Sequence, residues 1–146
     1  MSDAELEFAI TLQAPAERVF AAITDARHLE RWFCGTCESE PRPGGKLVMR
    51  WTGAKGSGLP FEARWTEWAP PSRVAFRGGH VGYPNGDAGK VTFTLAAEDV
   101  GTRLDVTHEF PASDAYARLR GEWTSAWPRA LARLATYLEP ARAARP

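Results

Sequence analysis

Apolar side chains recur at every second position in six segments of the sequence, and this alternation constrains the fold more than any other feature. In the first segment, Leu6, Phe8 and Ile10 share one face, while mainly polar residues occupy the other. A period of two is typical of a β-strand with one buried and one solvated face. The six segments span residues 5–13, 46–51, 61–66, 73–77, 90–95 and 103–110.

The segments that follow residue 44 are joined by turns and loops. These connectors span 52–58, 70–72, 78–89 and 99–101 and are rich in glycine, proline and other turn residues. Parallel strands would need helical crossovers, so connections of this kind predict an antiparallel meander with one solvated face. The sheet has seven strands if the segment 38–41 also pairs, and six if it does not.

Helical spacing occurs in two places. After the first strand, Pro15 suits a first helical turn and Asp25 can cap a second helix, which predicts two short helices. After a possible cap at Ser113, apolar residues recur every three or four positions as far as Leu138. Pro128 lacks an amide donor and clashes with the preceding turn, so the final helix is either kinked or split one turn earlier.

Together these patterns predict an α+β fold. One curved antiparallel sheet of six or seven strands is covered by two short helices and by the long C-terminal helix, whose apolar stripe needs an apolar partner. We expect a single domain over residues 1–140 and a frayed C-terminal tail over 141–146.

Charge and composition narrow the classes of partner. Eighteen basic and 18 acidic residues give a formal net charge of zero, so no long-range field would gather nucleic acid or an anionic membrane. Residues 1–14 lack the basic and apolar regions of a secretion signal, and no apolar run approaches the roughly 18 residues of a membrane span. We therefore expect a cytoplasmic protein with no nucleic-acid partner, and the oligomeric state stays open.

The two cysteines, Cys34 and Cys37, have the spacing of a redox pair or of half a zinc site. A redox motif of this kind is expected at the start of a helix after a strand, whereas this pair follows a short helix. A zinc site would need two further ligands from His28, His80, His108 or carboxylates. We expect reduced, structural thiols, no metal and no cofactor.

Five segments resemble a known family. They are 14–20 (Ala-Pro-Ala-Glu-Arg-Val-Phe), 31–33 (Arg-Trp-Phe), 43–45 (Pro-Gly-Gly), 68–74 and 101–104. With the order of the predicted elements, they resemble the helix-grip (START-like, SRPBCC) superfamily of START domains, birch-pollen-allergen-like proteins and polyketide cyclases. The similarity is to its prokaryotic branch, which is related to the C-terminal domain of the heat-shock-protein-90 ATPase activator.

The resemblance implies that the final helix crosses the concave face of the sheet and leaves an elongated pocket. Across the superfamily such pockets take lipids, sterols, hormones and polyketides. A shared fold does not fix a substrate, and the sequence carries no catalytic motif of the superfamily's enzymes that could be transferred.

Strand parity and helix spacing predict which side chains face each other across this pocket. An aromatic content of 11% favours a cavity lined by rings. The sheet would contribute Met49, Trp51, Trp65, Phe76, Phe93 and His108. The final helix would contribute Tyr116, Leu119, Trp123 and Trp127, and the second short helix Trp32 and Phe33. We predict no catalytic and no metal-binding residue.

Three features have competing interpretations. His108 could bond a ligand or act as a general base, or it could be a structural histidine satisfied by a hydroxyl or a carbonyl. The glycine-rich segment 52–58 lacks the Gly-Lys-Ser/Thr ending and the following helix of a phosphate-binding loop, which favours a plain hairpin loop. The long connector 78–89 could be a lid at the pocket mouth or a disordered loop.

The leading functional hypothesis is a binding module for a small hydrophobic or amphipathic molecule, as in lipid binding. The alternative is a co-chaperone-like protein-interaction domain, an ATPase activator homologue, for which the outward parity of Trp68 provides the one large exposed ring. A cyclase- or hydrolase-like enzyme would need His108 to converge with Glu67 or Asp105. Asp105 has the opposite parity and Glu67 lies near a strand end, which disfavours that site.

Overall fold

The computed structural model describes residues 5–51 and 58–139. The strands in this part of the chain form one antiparallel sheet in the order β1-β7-β6-β5-β4-β3-β2. They are β1 (Glu5–Leu12), β2 (Thr36–Ser39), β3 (Lys46–Arg50), β4 (Phe61–Ala69), β5 (Arg73–Gly79), β6 (Lys90–Ala97) and β7 (Thr102–Glu109). The predicted α+β class and antiparallel meander are confirmed, and pairing of β2 with β3 settles the strand number at seven.

Two short helices and one long helix complete the fold: α1 (Ala16–Thr24), α2 (Ala26–Trp32) and α3 (Ala117–Leu138). The carboxylate of Asp25 accepts a hydrogen bond from the amide of Arg27 at 2.9 Å, which caps α2 as the sequence predicts. The hydroxyl of Ser113 accepts from the amide of Ala115 at 3.2 Å and begins the short 3₁₀ turn that leads into α3.

Helix α3 runs through Pro128 as one element, so of the two predicted alternatives, a kink or a split, the split does not occur. A proline at this position cannot donate to the carbonyl of Thr124, four residues earlier. Both residues are exposed, so the carbonyl that loses its helical donor lies on the solvent side of α3. Water can satisfy that carbonyl, which explains how the helix tolerates the proline.

The core lies between α3 and one face of the sheet. Trp127, Leu134 and Leu138 on α3 expose at most 1% of their surface. Fully burying a leucine side chain stabilises a fold by about 1.5 to 3 kcal/mol. The apolar stripe of α3 is therefore a main source of its attachment to the sheet.

A bulge in β4 changes one prediction from the sequence. The register between β4 and β5 shifts between Trp65 and Glu67, and an extra residue of this kind reverses the parity of the positions that follow. Trp68 therefore does not point outward as predicted. Its ring packs edge-on against Phe20 at 5.3 Å and against Trp65 at 5.5 Å, and it is half-buried. The outward position was wrong because alternation was counted through the bulge.

Two predictions fall outside the described residues. They are the frayed tail at 141–146 and the glycine-rich hairpin loop at 52–58, apart from Gly58. Over residues 5–51 and 58–139, no helix is both long enough and apolar enough to cross a membrane.

Candidate ligand-binding cavity

A cavity of about 790 Å³ opens beside α3, between this helix, the end of α2 and the loop that connects β5 to β6. Its walls combine aromatic rings, small side chains and a few charged groups. The lining residues are Phe33, Trp51, His80, Gly82, Tyr83, Pro84, Ala115, Arg118, Leu119, Glu122, Trp123, Ala126, Ala130 and Arg133.

Four of the twelve residues predicted to bind a ligand line this cavity: Phe33, Trp51, Leu119 and Trp123. The other eight belong to the packed interior, and each exposes at most 3% of its surface. They are Trp32, Met49, Trp65, Phe76, Phe93, His108, Tyr116 and Trp127. The structure thus buries most of the predicted residues in the packed interior, with Tyr116 and Leu119 in a second, smaller cluster beside Phe110, and places only four of the twelve at the cavity wall.

Trp127 occupies the space between α3 and the centre of the sheet. Its ring stacks on Phe33 at 5.4 Å, with an interplanar angle of 21°, and meets the edge of Phe93 at 6.0 Å. Its indole nitrogen Nε1 donates a hydrogen bond to Nδ1 of His108 at 3.1 Å. Trp127 therefore fills the middle of the interface, and the open volume lies toward the side of the helix.

Both ring nitrogens of His108 have partners. Nδ1 accepts from Trp127, so Nε2 carries the proton and donates it to the carbonyl oxygen of Ala88 at 2.7 Å. Burial lowers the pKa of His108 to about 4, which keeps the imidazole neutral at physiological pH. Neither nitrogen retains an open hydrogen-bonding position, so this geometry corresponds to the structural interpretation of His108.

The carboxylates considered as catalytic partners of His108 are engaged elsewhere. Glu67 pairs with Arg73 and with Lys90, and these hydrogen bonds lower the pKa of Glu67 to about 2. Asp105 pairs with the guanidinium of Arg103 at 3.0 Å. The acid–base constellation weighed from the sequence is therefore not assembled.

The aromatic wall of the cavity is held in a defined geometry. The indole of Trp51 donates from Nε1 to the carbonyl oxygen of Phe33 at 2.6 Å, and the two rings meet edge to face at 5.2 Å. Trp51 also meets Trp123 of α3 at 6.2 Å, with an interplanar angle of 83°. Trp51 and Trp123 are half-buried, so each ring presents part of its surface to the cavity.

The loop between β5 and β6 forms the opposite wall. The rings of His80 and Tyr83 stack with centroids 3.9 Å apart, and burial raises the pKa of Tyr83 to about 12. The hydroxyl of Tyr116 lies 2.8 Å and 2.7 Å from the carbonyl oxygens of Pro84 and Asp87, which ties the loop to the start of α3. The predicted position at a pocket mouth is thus observed, whereas opening of the loop as a lid stays a prediction.

One side of α3 supplies four of the ten lining residues that were not in the predicted set. Arg118, Glu122, Ala126 and Ala130 follow one another at intervals of four, which places them in one row beside the apolar stripe. Ala126 is half-buried and Ala130 is buried, and both contribute only a methyl group to the lining. Two alanines in one row, next to a stripe of large rings, were the signal in the sequence that could have located this cavity.

Cys34 shows the features of a structural cysteine. Cys34 is buried and directs its sulfur to the carbonyl oxygen of Leu29 at 3.7 Å. The neighbouring Cys37 and burial both raise the pKa of Cys34, so the reactive thiolate is disfavoured. Within the described ranges, no group of three or more histidine, cysteine or acidic residues is arranged to hold a metal ion. Absence of zinc from the protein stays a prediction.

Comparison with known proteins identifies the family. The family model described as "Activator of Hsp90 ATPase homolog 1-like protein" matches residues 13–139. The chain belongs to this family. The relationship inferred from the five short segments in the sequence is therefore confirmed. No curated protein sequence matches the chain significantly.

Several solved structures have the same fold as this member of the Hsp90-activator-like family. A protein from Chromobacterium violaceum is 29% identical, with a TM-score of 0.80, over 94% of this chain and 99% of that one. A protein from Rhodobacter sphaeroides is 25% identical, with a TM-score of 0.79, over 92% and 91%. The Aha1 dimer from Colwellia psychrerythraea has the same fold at 18% identity, with a TM-score of 0.72, over 94% and 98%.

Proposed function

We propose that this chain binds a small hydrophobic or amphipathic molecule in the cavity beside α3. The observation that carries the proposal is the cavity itself, whose volume of about 790 Å³ lies within the roughly 300 to 1,000 Å³ that is usual for small-molecule sites. Its walls also have the usual character of such sites, with aromatic and small apolar side chains and a few polar groups.

The geometry of the walls favours a flat or elongated apolar body. Trp51 and Trp123 meet edge to face, and the hydrogen bond from Trp51 to Phe33 fixes the ring before any ligand arrives. A wall that is already ordered loses little conformational freedom on binding. Ala126 and Ala130 face the same volume and leave it unfilled.

Titration with the neutral dye N-phenylnaphthylamine tests this proposal. We expect saturable binding with about one site per chain, an increase in dye fluorescence, and quenching of tryptophan emission, because two indoles line the cavity. Ala126→Phe places a ring in the cavity and should weaken binding at least about tenfold. Ser125→Phe is the matched control, since it adds the same ring at the neighbouring exposed position outside the lining.

Two results would contradict the proposal. One is a wild-type protein that does not bind the dye although its circular dichroism shows a folded state. The other is equal loss of binding in the Ala126→Phe and Ser125→Phe variants, because only the first ring enters the cavity. The thermal midpoints of both variants should stay close to that of the wild type, since a ring that fills an existing void strains its surroundings little.

The family description favours protein interaction as a second candidate function. Among the described residues, large apolar side chains are exposed at Leu59, Val81 and Val100. Scattered exposure of this kind is common on protein surfaces. Trp68, the one large ring that had favoured this function, is half-buried against Phe20 and Trp65. The cavity therefore gives the small-molecule function the stronger support.

A further inference from the structure

The lining of the cavity contains an arginine, Arg133, that forms no ion pair with any acidic residue in the described part of the chain. Three charged side chains line the volume, and two of them pair with each other across one helical turn: Arg118 Nε lies 3.4 Å from Glu122 Oε2. Within residues 5–51 and 58–139, Arg133 makes no ion pair. The lining therefore carries a net positive charge at Arg133.

The guanidinium of Arg133 is held in place from one side. Its Nε donates a hydrogen bond to the carbonyl oxygen of Trp32 at 2.9 Å, at the last residue of α2. Carbonyl groups at a helix C-terminus attract a cation. This bond uses one of the five donors of the side chain, and the two terminal nitrogens keep the other four.

The surroundings of Arg133 are aromatic. Arg133 shares the cavity with Phe33 and Trp51, and it also lines a smaller groove next to it with the same two rings and Glu30. The Glu30 carboxylate accepts a hydrogen bond from the amide of Cys37 at 2.8 Å. No ion pair joins Glu30 to Arg133 within the described residues, so the positive charge is not neutralised from that side.

We propose that the ligand is an amphipathic organic anion, such as an aryl or long-chain carboxylate, whose charged group pairs with Arg133 while its apolar body packs against Trp51 and Trp123. This inference rests on the proposed function and specifies its ligand class. A planar guanidinium with four remaining donors can hold a carboxylate or sulfonate through two parallel hydrogen bonds. Because Trp32 already restricts the side chain, binding loses less rotamer entropy than at a mobile arginine.

Arg129 provides the matched control on the same helix. It lies four residues before Arg133, is exposed, and is not among the residues that line the cavity. A charge outside the lining does not contact the bound anion and is screened by solvent, so its removal should change anion binding little.

The test compares two dyes that share an aromatic body and differ in one charged group. Anilinonaphthalenesulfonate carries a sulfonate and N-phenylnaphthylamine carries none. In Arg133→Gln we expect the Kd for the sulfonate dye to rise at least about tenfold and the Kd for the neutral dye to stay within about twofold. Arg129→Gln should leave both values near those of the wild type. Raising the salt concentration should weaken only the sulfonate dye on the wild-type protein.

The outcomes separate this inference from the function on which it rests. If the neutral dye binds and the sulfonate dye does not, or if Arg133→Gln weakens both dyes equally, the anion preference is wrong while the cavity still binds apolar molecules. If neither dye binds the wild type, the proposed function fails and the inference fails with it. Arg133→Lys, which keeps the charge, and the salt dependence of the wild type decide the question if Arg133→Gln does not fold.

Discussion

Lowering the pH from about 7.5 to about 5 should destabilise the fold by about 2 kcal/mol through His108. In the folded protein the pKa of this buried imidazole is about 4, whereas a histidine in an unfolded chain titrates near about 6.5. As the pH falls, the unfolded chain therefore takes up the proton first. The contribution of His108 to the free energy of unfolding is complete above about pH 6.5 and is lost progressively as the pH falls. At about pH 4 the loss amounts to about 3 kcal/mol.

The main physical cause is burial of the ring, which disfavours the charged imidazolium, whereas the hydrogen bond to the carbonyl of Ala88 raises the pKa and opposes this shift. A proton on Nδ1 would convert the acceptor of Trp127 into a donor, so the indole N–H would lose its partner. The charged ring would also be buried against Phe110, which stacks on it at 4.0 Å, and Trp123, at 5.1 Å. Removal of a buried partner from such a group costs about 1 to 3 kcal/mol, which agrees with the magnitude obtained from the pKa.

Between about pH 7.5 and about pH 5, the stability contribution of His108 changes, whereas the contributions of the acidic groups with lowered pKa values stay nearly constant. Hydrogen bonds lower the pKa values of Glu67 and Glu40, so their contributions are present above about pH 4.3 and are lost below it. Burial lowers the pKa of His80 as well, which gives it the same sign and the same upper limit as His108. His80→Gln is therefore the necessary control beside His108→Gln.

Urea unfolding at pH 7.5, 6.5, 5.5 and 5.0, followed by tryptophan fluorescence, measures this effect. The wild type and His80→Gln should lose about 2 kcal/mol more between the extremes of this range than His108→Gln, whose side chain does not titrate there. His108→Gln should be less stable than the wild type at pH 7.5, because the amide packs poorly in place of the ring. Equal pH dependence in the wild type and His108→Gln would refute the assignment of this pKa to His108.

Two further predictions concern packing and can be checked by the midpoint of urea unfolding. Gly78→Ala should destabilise the fold by about 1 to 3 kcal/mol, because an added Cβ would lie 2.5 Å from the Cα of Ala63 in the paired strand. Gly121→Ala is the control: an added Cβ there meets nothing within 4 Å, so this substitution should stabilise α3 by about 1 kcal/mol. Thr102→Val should cost about 1 to 3 kcal/mol, because the buried hydroxyl of Thr102 donates to the carbonyl of Ala14 at 2.7 Å; an unchanged midpoint would mean that this bond contributes nothing.

The element order could be predicted because alternation and helical spacing are local properties of the sequence. Apolar residues at every second position located the strands, and Asp25 and Ser113 marked the starts of helical segments, which the structure confirms. The bulge after Trp65 could not be predicted, since one extra residue between two regular segments changes neither composition nor local period. The bulge reversed the parity of the positions that follow it in β4, including Trp68, on which the protein-interaction hypothesis depended.

The division of the aromatic rings between core and cavity could not be predicted for a different reason. The alternation along the strands shows that Phe93 and Trp51 lie on the same side of the sheet. It contains no information on the distance between the sheet and helix α3. That distance depends on Trp127, which fills the space over Phe93 and Phe33. The large rings opposite the centre of α3 therefore became core. The ligand contacts of the four predicted residues that line the cavity stay predictions.

The position of Trp127 also determines which parts of the chain can select a ligand. Because this ring closes the centre of the interface, a molecule in the cavity meets the side of α3 and the loop between β5 and β6 instead of the inward face of the sheet. The loop is fixed to the fold by Tyr116 and carries the stacked pair His80 and Tyr83 at the cavity. Loops tolerate sequence change far better than sheet cores do. Under the proposed function, substitutions in this loop and in the row from Arg118 to Ala130 should therefore change ligand preference while the packed sheet keeps the fold.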